Sequence, residues 1–481
     1  MDRTEAGMAE HETYDLLLRG GRVVTASGIV TADVAVRDGR IAAIGMNLPA
    51  GRIERAAEGR YVMPGGVDPH CHVEQMTAAG IMNADTWESA TRAAAFGGTT
   101  TIIPFAAQHR GMDLAKVVED YHLRAGRGAL VDYAFHMIVT DPSPKTVQQD
   151  LPALIRGGHG SIKVFMTYDP LIVDDAGILK LLQVARAEGA MVCVHAENHD
   201  MIHWATARLL AEGKTAPRHQ AEAHPRLAEY EAIGRLIALA ELVRHPVMIF
   251  HVSTAEPLAL IRDARARGAT LWAETCPHYL FLTDAVMDKP GVEGAKWMCS
   301  PPLRTEADQA ALWQALRAGE LDLVSSDHAP FRHDASGKLA AGPEATFKQM
   351  ANGMPGLGAR MPLLFDAAMR GRLTLSQVAE LGAEAPARIY NLRKKGRVAP
   401  GADADLVLWN PDRTTVLSDD TVRDGTGYTC YPGRELIGAV ERVYLRGQLV
   451  VEEDRLRVRP GHGRFLPRGG GAAAVWREAA V

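Results

Sequence analysis

The chain has 481 residues, with 53 basic and 58 acidic side chains and a formal charge of -5; at about 150 residues per domain this implies two or three domains. Hydrophobic residues at 47% and charged residues at 23% exclude a disordered, collagen-like or disulfide-stapled chain. The near-neutral, mixed charge offers no basic stripe to a nucleic acid or an anionic membrane, so neither is an expected partner.

The first residues, MDRTEAGMAEHETYD, lack the basic start and apolar run of a signal peptide. No later stretch approaches the ~20 apolar residues of a membrane span, so the expected location is cytoplasmic. Short strands follow, DLLLRGGRVVT and ADVAVRDGRIAAIG, the second with Asp38-Gly39 as a hairpin signal. From Tyr61 the text changes to short apolar runs separated by helical segments, the alternation of parallel βα units. There are eight runs: YVMPGGVDPH, TTTIIPF, LVDYAFHMIV, SIKVFMTY, AMVCVHAE, PVMIFHVS, TLWAETCP and LDLVSSDHAP. Eight such repeats over roughly 260 residues predict an α/β fold of the TIM-type (β/α)8 barrel class. Strand-like text resumes in GRVAPGADADLVLWNP and LIGAVERVYLRGQLVVEE, and two β segments flanking a barrel are expected to pair into one smaller β-sandwich domain. The expected boundaries are 1–63 with 390–459 for the sandwich, 64–389 for the barrel and 460–481 for a C-terminal arm or tail. In that last segment Phe465, Leu466 and Trp476 stand in text too glycine-rich to build a core, so docking on a neighbouring subunit is expected for Phe465 and Leu466.

The run ends carry the chemistry. His70 and His72 close the first run, Lys163 lies in the fourth, His195 ends the fifth, His251 falls in the sixth and Asp327 in the eighth. The C-terminal face of a barrel gathers such positions into one site. A lone histidine at a strand end is usually structural, and His109, His199, His203 and His219 are read that way, as is His328. Five ligand-type side chains recurring on four βα units point instead to metal. Side chains two apart on a strand share a face, so His70 and His72 serve one site while Cys71 packs on the other side. Four histidines, an aspartate and a lysine exceed one zinc site, and two divalent ions ~3.5 to 4 Å apart would lower the pKa of a shared water and polarise a carbonyl. Lys163 has two readings: an ordinary snorkelling amine, or an amine that has taken up carbon dioxide and become a carbamate able to bridge two ions. Five cysteines, Cys71, Cys193, Cys276, Cys299 and Cys430, without a Cys-x-x-Cys pair, give neither a disulfide framework nor a zinc knuckle.

PGGVDPHCH, KVFMTY, VHAEN, FHVST, MCSPPLR, SSDHAPF, FKQMANGMPG and GADADLVLWNP together resemble the cyclic amidohydrolases of the dihydropyrimidinase and hydantoinase group, from about residue 14 to 468. The resemblance implies a barrel plus β-sandwich and a carboxylated Lys163 bridging two zinc ions, with His70, His72 and Asp327 on one and His195 and His251 on the other. It implies opening of a ring amide in a small cyclic ureide or imide, with Asp327 as general acid and base. Tyr168 would donate to the developing oxyanion, Ser300 and Asn352 would contact the ring amide through main-chain groups, and the assembly would be a homotetramer. Cys71 stands where the group commonly has threonine, and VEQMTAAGIM departs from the usual continuation, which leaves the first substrate loop distinctive. Met76, Ile81, Phe105, Asp169 and Leu171 are candidates to line the substituent pocket. Dihydroorotase and allantoinase are the nearest enzymatic alternatives, and Arg110 or Arg360 would have to serve a dihydroorotate carboxylate. A non-catalytic interaction protein is the alternative of a different class, opposed by the complete ligand set.

Overall fold

The structure is a computed structural model that describes residues 14–25, 27–77 and 80–468; Trp476 lies outside the described residues. Before the barrel come β1 (Tyr14–Thr25), β2 (Gly28–Arg37), β3 (Arg40–Gly45), β4 (Gly51–Ala56) and β5 (Tyr61–Pro64). The barrel strands are β6 (Gly66–Cys71), β7 (Thr99–Ala107), β8 (Asp132–Tyr133), β9 (His136–Ile138), β10 (Ser161–Phe165), β11 (Met191–His195), β12 (Val247–Ile249), β13 (Leu271–Thr275) and β14 (Leu323–Val324). The C-terminal strands are β15 (Leu406–Val416), β16 (Glu435–Leu445), β17 (Gln448–Glu452) and β18 (Arg455–Leu456).

All eight apolar runs supply barrel strands, and every pairing among them is parallel. Such strands are covered on both faces, which is why they read as continuous apolar text rather than alternation. The first run divides: β5 joins the outer sheet, pairing with β1 and β15, and only β6 enters the barrel. The third run is broken into β8 and β9, with Phe135 between them. Its carbonyl accepts from the buried Arg468 guanidinium, and the neighbouring backbone pairs with the C-terminal segment through Tyr133 N to Arg464 O (3.0 Å) and Leu466 N to Tyr133 O (2.7 Å).

The terminal strands form the expected smaller β unit, hydrogen-bonded in the order β18-β17-β16-β15-β5-β1-β2-β3 with β4 on β1. It encloses its own core of Leu16, Leu18, Val34, Val36, Val62, Leu406 and Leu408. Phe465 and Leu466, both partly buried, pack against this chain's own barrel. Phe465 lies among the rings of His122, Tyr133, Phe135 and His159, because the backbone of residues 464–466 is already held beside β8. Connecting helices are capped as their sequences dictate: Asp174 and Asn198 accept from the first turns of the helices they precede. Gly189 ends the helix Asp175–Glu188 in the left-handed conformation that glycine adopts without a Cβ clash.

The two units are locked by a buried ion cluster. The Lys395 ammonium sits 2.7 Å from Asp132 in β8, 3.0 Å from Asp403 and 2.8 Å from Asp405 beside β15, and Arg446 adds a second cation to Asp132. Burial opposes the lysine's charge, but the three carboxylates outweigh it and raise its pKa. Lys395→Met would leave three carboxylates facing one another. It should cost about 3 to 5 kcal/mol, the scale of a broken buried pair, measured by urea unfolding; an unchanged midpoint would show that the cluster does not hold the units together.

Candidate metal centre

Closure of the barrel assembles the site. Beyond β14 the chain returns beside β6: His72 N donates to His328 O (2.7 Å), Ser326 Oγ donates to His70 O (3.0 Å) and Ser326 N to Asp68 Oδ1 (3.0 Å). Asp327 is thereby delivered between the two histidines, its Oδ1 3.1 Å from His70 Nε2 and 3.5 Å from His72 Nε2, and the three donor atoms lie within 4.8 Å of one another. His195 ends β11, and His251 lies two residues past β12 with ring centroids 4.4 Å apart. Lys163 projects from β10, its Nζ 4.1 Å from the Phe250 ring centroid and 4.7 Å from that of Phe165.

A cleft of about 340 Å³ opens on this cluster and is lined by His70, His72, Lys163, Tyr168, His195, His251, Ser300, Asp327 and Asn352, so the six expected ligand residues meet there with Tyr168, Ser300 and Asn352. Met76, Ile81 and Leu171 also line it, as does His109. Phe105 does not, being packed in the core, and Asp169 turns outward to His199 and His203. Arg360 is buried elsewhere, bonded to Val324 O and Gly382 O, and Arg110 is bonded to Ile172 O. No arginine among the described residues lines the cleft. His328 is structural as expected, its Nε2 2.6 Å from Asp85 and its Nδ1 accepting from Gly356 N. Cys71 is buried packing, its thiol pKa pushed well up by desolvation, and all five cysteines are free and buried.

Two supporting carboxylates were missed in the sequence. Glu274 of β13 holds His70 Nδ1, and Glu197 bridges His195 Nε2 (2.7 Å) and His224 Nδ1 (2.8 Å). Their signal was present: a glutamate inside the apolar run LWAET, and another two residues after His195. Gln75 Oε1 orients His72 through Nδ1 at 2.7 Å. Such partners select the ring tautomer and leave the opposite nitrogen to face a cation.

The electrostatics separate these groups. Burial disfavours charge on His70, yet Asp327 and Glu274 raise its pKa to about 9. Burial lowers His195 and His251. Lys163 is lowered by burial to about 7, against the pull of Asp327, and its Nζ and His251 Nδ1 are buried without a hydrogen-bond partner. An unpaired buried amine is costly, and its neutral form is the one that takes up carbon dioxide. Imidazole and carboxylate donors plus such an amine therefore fit divalent ions. Tyr168 (φ 72°), His251 (φ 40°) and Asp327 (φ 43°) all lie in the left-handed region, a strain that non-glycine residues carry where surrounding structure holds a site in place.

A parallel barrel with these side chains at its C-terminal strand ends is the architecture of a barrel hydrolase with a metal centre. The Amidohydrolase family matches residues 61–426. A D-hydantoinase of Streptomyces coelicolor is 42% identical over 460 residues, 94% of this chain and 97% of that protein. A solved D-hydantoinase structure superposes with a TM-score of 0.91 at 39% identity, covering 95% of this chain and 99% of the other. The dihydropyrimidinase from Brevibacillus agri NCHU1002 gives 0.91 at 37% identity, covering 94% and 98%. This chain belongs to the amidohydrolase family, in its hydantoinase and dihydropyrimidinase group, and is a cyclic amidohydrolase.

Glu274→Gln keeps the side chain's shape and removes its charge from His70. Metal affinity should fall about 10- to 100-fold in chelator competition; an unchanged affinity would make Glu274 a packing residue.

Proposed function

We propose that the chain opens the ring of a cyclic ureide or imide, hydantoin or dihydropyrimidine, with two divalent ions, zinc, per chain. His70, His72 and Asp327 would hold one, His195 and His251 the other, and Lys163, as its carbamate, would bridge them. The observation that carries this reading is the buried, partnerless and pKa-lowered amine of Lys163 at the centre of a converging ligand set. When bound, the ions would lower the pKa of a water and polarise the ring carbonyl.

The protein's own groups do the rest. Asp327, held by His70 and His72, takes the proton of the attacking water and delivers it to the leaving ring nitrogen. A base already positioned at its proton pays no reorganisation at that step. Tyr168, beyond β10, donates its phenol hydrogen to the oxygen that gains charge; burial raises its pKa well above the usual value, so it stays protonated. Ser300 and Asn352 flank the ring amide, and Met76, Ile81 and Leu171 give the substituent an apolar wall. A dihydroorotate carboxylate would want an arginine, and the absence of one from the described lining favours an uncharged ring. The kinship with D-hydantoinases supports D-substituted hydantoins. Assembly as a homotetramer follows from the family resemblance, and an interface would cover exposed apolar side chains such as Trp204, Leu227 and Leu242, 69%, 65% and 73% exposed on this chain. No described helix is long and apolar enough to cross a membrane.

Elemental analysis should find about two ions per active chain. Lys163→Ala should lose both metal and turnover, with partial rescue by short-chain carboxylic acids, and full activity would reject the bridge. Tyr168→Phe should keep the metals and lose ~10²- to 10³-fold in kcat, the size of one oxyanion donor; metal loss would make it structural, and unchanged kcat would remove it from the mechanism. Among hydantoin, 5-phenylhydantoin, dihydrouracil, succinimide, allantoin and dihydroorotate, the hydantoins should turn over fastest, and preference for dihydroorotate would overturn the substrate assignment.

A further inference from the structure

Asp169, His199 and His203 meet at the outer rim of the barrel's C-terminal face, separate from the ligand set above. His199 and His203 are one turn apart on the helix His199–Ala211, so their rings leave the same face. The ring centroids are 4.2 Å apart. Both Nε2 atoms point at a single oxygen, Asp169 Oδ1, at 3.3 Å from His199 and 3.1 Å from His203, and all three donor atoms lie within 4.8 Å of one another. Imidazole and carboxylate ligands sit ~2.0 to 2.2 Å from a tetrahedral ion, which places neighbouring ligand atoms roughly 3.3 Å apart. The two nitrogen–oxygen spacings are already those of tetrahedral edges. Surface ion pairs contribute about 0 to 1 kcal/mol each, whereas a shared cation would satisfy both imidazole nitrogens and the Asp169 carboxylate at once.

We propose that Asp169, His199 and His203 form a third cation site, for a transition-metal dication of the kind that imidazole and carboxylate ligands select, such as zinc, copper(II) or nickel. Three protein ligands leave the fourth position to water. Asp169 directly follows Tyr168, in a turn closed by Leu171 N and Ile172 N on Tyr168 O, both at 2.8 Å. The helix carrying the two histidines begins two residues past Glu197, the partner of His195. An ion at this site ties the Tyr168 turn to that helix and so restrains the loop at the mouth of the cleft.

The test uses the holoenzyme and zinc alone. Calorimetric titration with elemental analysis should show one further ion per chain beyond the tightly held metal. His203→Ala, a change at a half-exposed surface position, should weaken that extra binding roughly 100-fold, at least the loss seen when a supporting partner is removed. Tightly held metal and turnover without added zinc should be unchanged in the variant, which separates this site from the two-ion centre. Equal extra uptake by both proteins, or none up to about 1 mM zinc, would overturn the proposal and leave an ion-paired cluster only.

Discussion

The structure turns on one junction, the backbone contact that brings the end of the eighth barrel strand against the first. β14 contributes only Leu323 and Val324 to the sheet, yet the residues after it are bound to β6 by His72 N, by the Ser326 hydroxyl on His70 O and by Asp68 on Ser326 N. Because His70 and His72 belong to one side of this seam and Asp327 to the other, closing the barrel and building the three-residue ligand cluster are the same event. The strain at Asp327, with φ at 43°, is held by those neighbouring hydrogen bonds.

Around the seam, polar groups are placed in two different ways. The histidines rest on buried acceptors: Glu274 behind His70, Glu197 behind His195, Gln75 behind His72. Each anchor selects a ring orientation and leaves the opposite nitrogen for the cleft. Lys163 has no such anchor and stands among the rings of Phe105, Phe165 and Phe250. Desolvation therefore governs it, pulling its pKa to about 7, the direction that burial gives an ammonium.

The outer sheet and the C-terminal segment reach the site indirectly, through the third strand position. Asp132 of β8 binds Lys395 and Arg446 from the outer unit, and Arg468 takes the Phe135 carbonyl and the hydroxyl of Ser161, the first residue of β10. A segment that reads as a tail thus completes a gap in the barrel wall two residues from Lys163. Arg468 is buried against Cys193 and Tyr390, and burial lowers its pKa, which marks it as part of the interior.

Much was legible in the linear text. Apolar runs revealed the eight strands because parallel strands are covered on both faces, and the polar residues ending those runs revealed the cluster because a barrel aligns its C-terminal strand ends. Glu274 escaped notice because an acidic side chain inside a strand acquires meaning only when a partner, here His70, is brought to it from 204 positions away. The packing of Phe465 on its own barrel was not legible, because the burial of an apolar side chain cannot be judged without knowing which surface its backbone is pinned to. His199 and His203 read as isolated because one turn of helix explains their mutual proximity, while Asp169 comes from a different loop. Periodicity and strand-end chemistry are local properties, and the sequence by itself determined the barrel, the six converging groups and the family. Burial, ring orientation and the choice of partner are set by distance between remote segments, and only the tertiary structure decided them.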